Sequence, residues 1–271
     1  MHNRTGLKAS DYLDLGAYPI DRPESSDYAA LVNHCRERMR NDGACLLKDF
    51  VLASYRGLLV EDTEALVPEV HHNHNKSTTP YQTTVPEGEA GDHPTQRPRT
   101  SSVHVLAYDL IPSDHGIRQL YEWDVLRHFL ADVLALPALY RYEDPLAGLN
   151  IAVNMQGDRN GWHFDQCDFV TSILIRPAEV GGLFQYCPNI RNADDENYVG
   201  VKAVLDGDAS TIKTLDFAAG DLAIFKGRHS MHRVTTIESD EPRLVALLGY
   251  DSRPGVTMTD EAKLRRFGRV A

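Results

Sequence analysis

The chain is poor in cysteine and in positive charge, and it has no long apolar run. Its four cysteines, Cys35, Cys45, Cys167 and Cys187, form no CxxC pair and no framework spacing. That excludes a zinc ribbon or a disulfide scaffold and leaves free thiols in a reducing cytoplasm as the expectation. Basic residues number 28 against 39 acidic, a formal charge of -11. Such a surface repels nucleic acid and anionic membranes, so neither is expected as a partner. A small anionic substrate could still bind where local positive charge overrides the global field. No apolar stretch approaches the roughly 18 residues of a membrane helix, and Met1 to Ser10 lacks the apolar core of a secretory signal. No internal repeat or low-complexity tract is present. What remains is an ordinary soluble protein of 271 residues, long enough to bury a core without staples.

The first half reads as mainly helical. Ser25 and Ser26 can cap a helix in which Tyr28, Leu31, Val32, Cys35 and Met39 share one face, with Gly43 as its C-terminal stop. Ala44 to Leu47 reads as a short strand, Phe50 to Leu66 as a second helix, and Ile117 to Leu136 as a third. Val67 to Ser102 holds four of the 12 histidines and has no periodicity, so it is expected to be a long functional loop, a lid over the substrate. From Gly148 the texture changes to short apolar runs separated by turn signals: Leu149–Gln156, Phe169–Arg176, Leu183–Cys187, Val201–Leu205, Thr211–Phe217, Leu222–Phe225, Arg233–Ile237 and Leu244–Tyr250. About eight strands at this spacing predict a double-sheet jelly roll. The expected architecture is one α+β domain over 1–271, with a helical part at 1–147 packed on one sheet of a jelly-roll core at 148–254.

The sharpest local feature is Gly161-Trp162-His163-Phe164-Asp165. On an extended segment, residues i and i+2 point to the same side, so His163 and Asp165 can present an imidazole and a carboxylate to one ion. A distal histidine follows in Gly227-Arg228-His229-Ser230-Met231-His232-Arg233. Two imidazoles and one carboxylate on one face of a metal leave positions open for substrates, the ligand set of non-haem iron(II) oxygenases. Arg243 stands 11 positions after His232, where its guanidinium can grip a carboxylate bidentately. His229 is 14 positions away and is the alternative third ligand. The cluster His71-His72-Asn73-His74 is a rival metal site without a nearby carboxylate in sequence.

These residues resemble the Fe(II)/2-oxoglutarate oxygenases, whose pattern of His-x-Asp, distal His and later Arg is matched by His163, Asp165, His232 and Arg243. The segments GWHFDQCDFVTSILI, GGLFQYCPNIR, DDENY and GRHSMHRVTTIESDEPRLVALLGYD look like the small bacterial branch of free-amino-acid hydroxylases and radical lysine halogenases. The resemblance covers residues 148–254 well and the N-terminal half loosely. It implies a double-stranded β-helix, iron held by His163, Asp165 and His232, 2-oxoglutarate held at its far carboxylate by Arg243, and O2 as oxidant. Halogenase members carry Gly where this chain has Asp165, which implies a hydroxylase-type member. Lysine-acting relatives carry an acidic residue near the position of Gln166, which counts against lysine as substrate.

Weaker candidates complete the expected site. Asn154 and Thr171, on the strands flanking the metal motif, could bond the cosubstrate. Arg97 and Arg99 could clamp a substrate carboxylate, and His74, Gln166 and Asp168 could line the substrate pocket. Glu143, Asp144 and Asp251 could meet a substrate ammonium. Trp162 reads as a packing residue. The expected activity is hydroxylation of a free amino acid or similar small polar metabolite. Desaturation, cyclisation or oxidative cleavage at the same iron, a non-catalytic cupin-like binding protein, and a zinc hydrolase are the competing readings, the last leaving Arg243 without a role.

Overall fold

The computed structural model describes residues 6–84 and 91–271, apart from the side chains of 75–77. The helices are α1 (Ser26–Asp42), α2 (Ala53–Glu64), α3 (Gly116–Glu122), α4 (Asp124–Leu134), α5 (Tyr198–Leu205) and α6 (Asp260–Phe267). The strands are β1 (Ala44–Leu47), β2 (His71–Thr78), β3 (Arg99–Leu106), β4 (Tyr140–Arg141), β5 (Leu149–Asn154), β6 (Arg159–His163) and β7 (Val170–Arg176). They continue with β8 (Phe184–Cys187), β9 (Lys213–Thr214), β10 (Leu222–Phe225), β11 (Met231–Val234), β12 (Arg243–Leu248) and β13 (Tyr250–Asp251). No helix among the described residues is long and apolar enough to cross a membrane.

The sequence signals for α1 are realised at both ends. The Ser25 hydroxyl accepts from the Tyr28 N–H at 3.1 Å, and Gly43 closes the helix at φ 66°, a left-handed conformation that glycine adopts without a Cβ penalty. Tyr28, Val32, Cys35 and Met39 are its buried face.

Eleven strands form one curled antiparallel sheet in the order β1-β10-β7-β12-β5-β3-β6-β11-β8-β9, with β2 on the free side of β3. The curl turns on β3. Its Val105 and His104 pair with Ala152 and Val153 of β5, while Ser101 and Ser102 pair with Asn160 and Arg159 of β6. One strand thus joins both halves of the roll. β4 and β13 make a separate two-stranded ribbon.

Alternation along the central strands sorts two environments. Leu149, Ile151 and Val153 of β5, Ile173 and Ile175 of β7, Leu222 and Ile224 of β10, and Leu244, Ala246 and Leu248 of β12 share one core with α1 to α4. The residues between them point the other way, into the roll. Every core residue lost from that layer leaves a cavity; Phe129→Ala in α4 would cost about 3–5 kcal/mol.

Four expectations change. Val201–Leu205 is not a strand but the end of α5, in which Asn197 caps Gly200 at 3.2 Å and Val201 and Val204 pack on Phe164, Cys187 and Met231. Short apolar runs carry no period of their own, so only the partner surface decides. The third helix is two, α3 and α4, broken where Trp123 takes an extended conformation. The loop at 67–102 contains β2 and the start of β3, paired from His71↔Val105 to Thr78↔Arg99. Its histidines and asparagines have little strand preference of their own, and the pairing partner imposes the conformation. Residues 85–90 of that expected lid lie outside the described residues. Finally, α6 was missed, although Thr259 caps it and Gly268 ends it at φ 73°. All four cysteines are free.

Candidate metal centre and active site

His163 ends β6 and His232 lies near the start of β11, and the two strands pair with these residues directly opposite. Their ring centroids are 4.1 Å apart. His163 donates from Nδ1 to the Gly161 carbonyl at 2.9 Å, and His232 donates from Nδ1 to the Ser230 carbonyl at 3.0 Å. A carbonyl can only accept, so each Nδ1 carries a hydrogen, which in a neutral imidazole leaves the lone pair on Nε2. Those Nε2 atoms face Asp165, that of His163 at 3.8 Å from Oδ1 and that of His232 at 3.5 Å from Oδ2. The three donor atoms lie within 4.8 Å of one another, a set that could hold a metal ion.

Asp165 is not placed by strand alternation, as its sequence spacing suggested, because β6 stops at His163. Backbone and side-chain bonds fix it instead. The Phe164 N–H bonds Pro80 O at 2.8 Å, the Asp165 N–H bonds Gly227 O at 3.0 Å, and Gln82 Nε2 bonds Phe164 O at 2.8 Å. The carboxylate lies directly over Gly227, where an added Cβ would fall 1.7 Å from Oδ2. That oxygen is buried without a hydrogen-bond partner. A bare carboxylate oxygen out of water carries its full desolvation penalty, and a divalent cation is the partner that an Asp and two imidazole Nε2 atoms jointly fit. Burial first, then the neighbouring His232 and Arg99, holds the His163 imidazole well below its ordinary pKa. It is therefore neutral, the form that ligates.

The donor set opens on a cavity of about 440 Å³ inside the roll. Arg243 is only 4% exposed, and its Nη1 donates to Asn154 Oδ1 at 3.3 Å, the residue directly opposite it on β5. Among the described residues no carboxylate lies within ion-pair distance of it, and burial alone pushes its pKa down to about 10. A desolvated guanidinium without an anion fits an acid supplied from outside.

Other expected residues divide. Asn154, Arg99 and Gln166 line the cavity, while Thr171, Arg97, His74, Glu143, Asp168 and Asp251 do not. Thr171 is in phase with Ile173 and so faces the helices; Ser172 is the β7 hydroxyl on the cavity side. His74 is exposed, and its neighbour Asn73 points inward. Arg97 pairs with Asp206, Asp168 with Arg228 at 2.5 Å, and Asp251 with Arg253 at 3.2 Å. Glu143 is exposed and accepts from the Gly255 N–H. His229 is absent from the cavity wall. Trp162 is a packing residue, covered by Arg233 at 4.7 Å. Missed by sequence reading were Asn150, two residues before Ala152 and four before Asn154 on the same face of β5, and Arg265 and Arg266 of α6. The caps of α6 would have announced that helix.

The rival histidine cluster does have a carboxylate. His72, His104 and Asp158 bring their donor atoms within 4.8 Å. Asp158 is already satisfied, by Ser102, by His104 at 2.9 Å and by the Met155 N–H at 2.9 Å. It lacks the bare oxygen that marks Asp165.

Residues 28–263 match the family model described as halogenase D. The chain belongs to this family. Its fold is that of a 2OG-Fe(II) oxygenase family oxidoreductase from Burkholderia pseudomallei (TM-score 0.53, 15% identity, covering 83% of this chain and 92% of that one). It is equally similar to AviO1 from Streptomyces viridochromogenes Tue57 (TM-score 0.55, 15% identity, 87% and 99% covered). The α-ketoglutarate-dependent epimerase SnoN from nogalamycin biosynthesis aligns at TM-score 0.55 and 15% identity, with 82% and 81% covered. No match was found among the curated proteins.

Proposed function

We propose that this oxygenase hydroxylates an unactivated C–H bond in a free amino acid or similar small polar metabolite, with 2-oxoglutarate decarboxylated to succinate. His163, Asp165 and His232 hold iron(II). Arg243, steadied by Asn154, holds the far carboxylate of 2-oxoglutarate. When bound, the iron supplies the oxidising chemistry with O2 that no protein side chain can. The protein's part is placement. The Gly161 and Ser230 carbonyls fix the tautomer and aim of the two imidazoles, Gly227 leaves room for Asp165, and the walls of the roll keep bulk water from the reacting centre.

One observation carries the reading: the bare Asp165 Oδ2 beside the two imidazole Nε2 atoms shares a cavity with a guanidinium that has no anion among the described residues. Asp165 also favours hydroxylation over halogenation within a family described as halogenases, because a carboxylate there fills the position that a halide needs. We propose further that 1–271 forms one oxygenase domain. The test is turnover of 2-oxoglutarate to succinate with Fe(II) and a panel of free amino acids, read by mass spectrometry for a gain of one oxygen. Absence of iron-dependent succinate above background with every member would sink the reading.

A further inference from the structure

Strand β6 carries a second polar side chain to the metal donors. On β11, His232 and Val234 stand two positions apart, but their partners on β6, His163 and Asn160, stand three apart. The extra residue makes a β-bulge. In a regular strand, positions three apart face opposite sides. Across this bulge Asn160 and His163 both line the cavity. The strand on the other side of β6 agrees, because Asn160 lies opposite Ser101 of β3, which also lines the cavity. Bulges recur beside active sites, where they re-aim one side chain. Gly161 makes this one possible. A Cβ there would fall 2.8 Å from the Thr100 carbonyl oxygen, a backbone atom of β3, and would push the two strands apart.

Arg99 decides which way the Asn160 amide points. Its Nη1 donates to Asn160 Oδ1 at 2.9 Å, and its Nε donates to Thr78 Oγ1 at 3.2 Å. A guanidinium only donates, so the amide oxygen faces Arg99 and the NH2 group faces away from it. On that side Nδ2 lies 3.4 Å from His163 Nε2, its one hydrogen-bond partner among the described residues. That Nε2 is the atom His163 offers to a metal. One lone pair cannot serve both, so a metal that takes it leaves the amide N–H in need of another acceptor close by. An oxygen ligand of the same metal meets that need.

We propose that Asn160 is a positioning residue of the metal centre. Its Nδ2 donates to an oxygen atom, from water or from 2-oxoglutarate, in the coordination position next to His163. Arg99 keeps the donor side of the amide, and not its oxygen, aimed at that position. This rests on the proposed function, in which His163, Asp165 and His232 hold the metal. The bulge and its glycine then serve the site twice: the Gly161 carbonyl fixes the His163 tautomer, and the extra residue turns Asn160 to the metal side.

Titration with Co(II), followed by its visible absorption, tests the idea without turnover. Asn160→Ala should weaken Co(II) binding by roughly 10-fold or more, the cost of losing a group that orients metal ligands. A loss seen with Co(II) alone assigns the oxygen to water, and a loss seen only in saturating 2-oxoglutarate assigns it to the cosubstrate. Asn160→Asp is the sharper probe. It keeps an oxygen for Arg99 but puts an anionic acceptor where the donor stood. Beside the metal, that carboxylate should join the ligand set, changing the Co(II) spectrum and raising affinity by about 10-fold or more, since affinity follows the charge of the ligands. An Asn160 that merely braces β6 would leave the spectrum as it is. Should Asn160→Ala fold poorly, Arg99→Met, which frees the amide to turn, carries the same expectation of weaker binding. The proposal is overturned if Asn160→Asp keeps the wild-type spectrum, or if Asn160→Ala and Arg99→Met bind Co(II) within twofold of wild type with and without 2-oxoglutarate. Failure of the functional reading registers separately, as a wild type that binds no Co(II) at all, and it takes this proposal with it.

Discussion

His163 and His232 stand opposite each other on β6 and β11, and each donates its Nδ1 hydrogen to the carbonyl two residues before it. The same local device thus appears twice and turns both Nε2 atoms to one point. Metal binding should therefore need both rings. His163→Ala and His232→Ala should each abolish binding of Fe(II) or Co(II), measured by anaerobic titration, while His229→Ala should bind as the wild type does. Gly227→Ala should cost roughly 10- to 100-fold in metal affinity, because its methyl occupies the place of the Asp165 oxygen. Retained binding in His232→Ala with loss in His229→Ala would redraw the site.

On the proposed function, Arg243 separates cosubstrate affinity from stability. Arg243→Gln should raise the apparent 2-oxoglutarate constant by about 30- to 5,000-fold, from a loss of roughly 2–5 kcal/mol. The fold should not suffer from removal of the charge itself, since the guanidinium is desolvated with no anion among the described residues. Arg243→Met should leave the ligand-free Tm equal or higher. A cosubstrate constant within twofold of wild type would remove Arg243 from the site.

On the proposed function, Asp165 favours oxygenation over halogenation. Wild-type enzyme in high chloride or bromide should give only oxygenated product by mass spectrometry. Asp165→Gly should open a coordination position, with at most weak halogenation, because a misplacement of about 1 Å can cost on the order of 100-fold. A chlorinated product from the wild type would mean that Asp165 is not a ligand.

His115 sets a pH dependence far from the cavity. Its Nδ1 accepts from the Ile117 N–H at 3.2 Å, capping α3, so its Nε2 hydrogen points to Thr63 Oγ1 at 3.3 Å. Burial lowers its pKa to about 4, the adjacent Asp114 acting in the opposite direction. The unfolded chain takes up this proton near pH 6.5 and the folded chain only near pH 4, so stability is full above 6.5 and is lost as pH falls between those values. The loss amounts to about 3 kcal/mol. His115→Asn keeps a capping oxygen without titrating. Urea unfolding across this window should show a shallower slope for the variant, and parallel slopes would refute the assignment.

Some of this was legible in the residues alone. The donor types and their order, His163, Asp165, His232 and then Arg243, are covalent facts, and the chemistry of imidazole, carboxylate and guanidinium restricts what they can do together. The α1 caps are equally local, since Ser25 and Gly43 act within one turn. The short runs failed where local preference is weak: Val201–Leu205 became helical through the surface under Val204, and His71–Thr78 became a strand only by pairing with β3.

The sequence by itself determined the candidate donor set, the strand-rich second half and the first helix, because those depend on residue identity and on interactions a few positions apart. Tertiary structure decided which way each side chain faces. Thr171 and Ser172 differ by one position and by 3.3 Å of strand, yet one meets the helices and the other the cavity. Arg97 and Arg99 differ by two, yet one binds Asp206 outside and the other looks toward the metal ligands. Arg266 lies 103 residues from His163 (266 − 163), and no pattern along the chain connects them. Only the curl of the sheet around β3 and the packing of α6 against it bring that charge to the site.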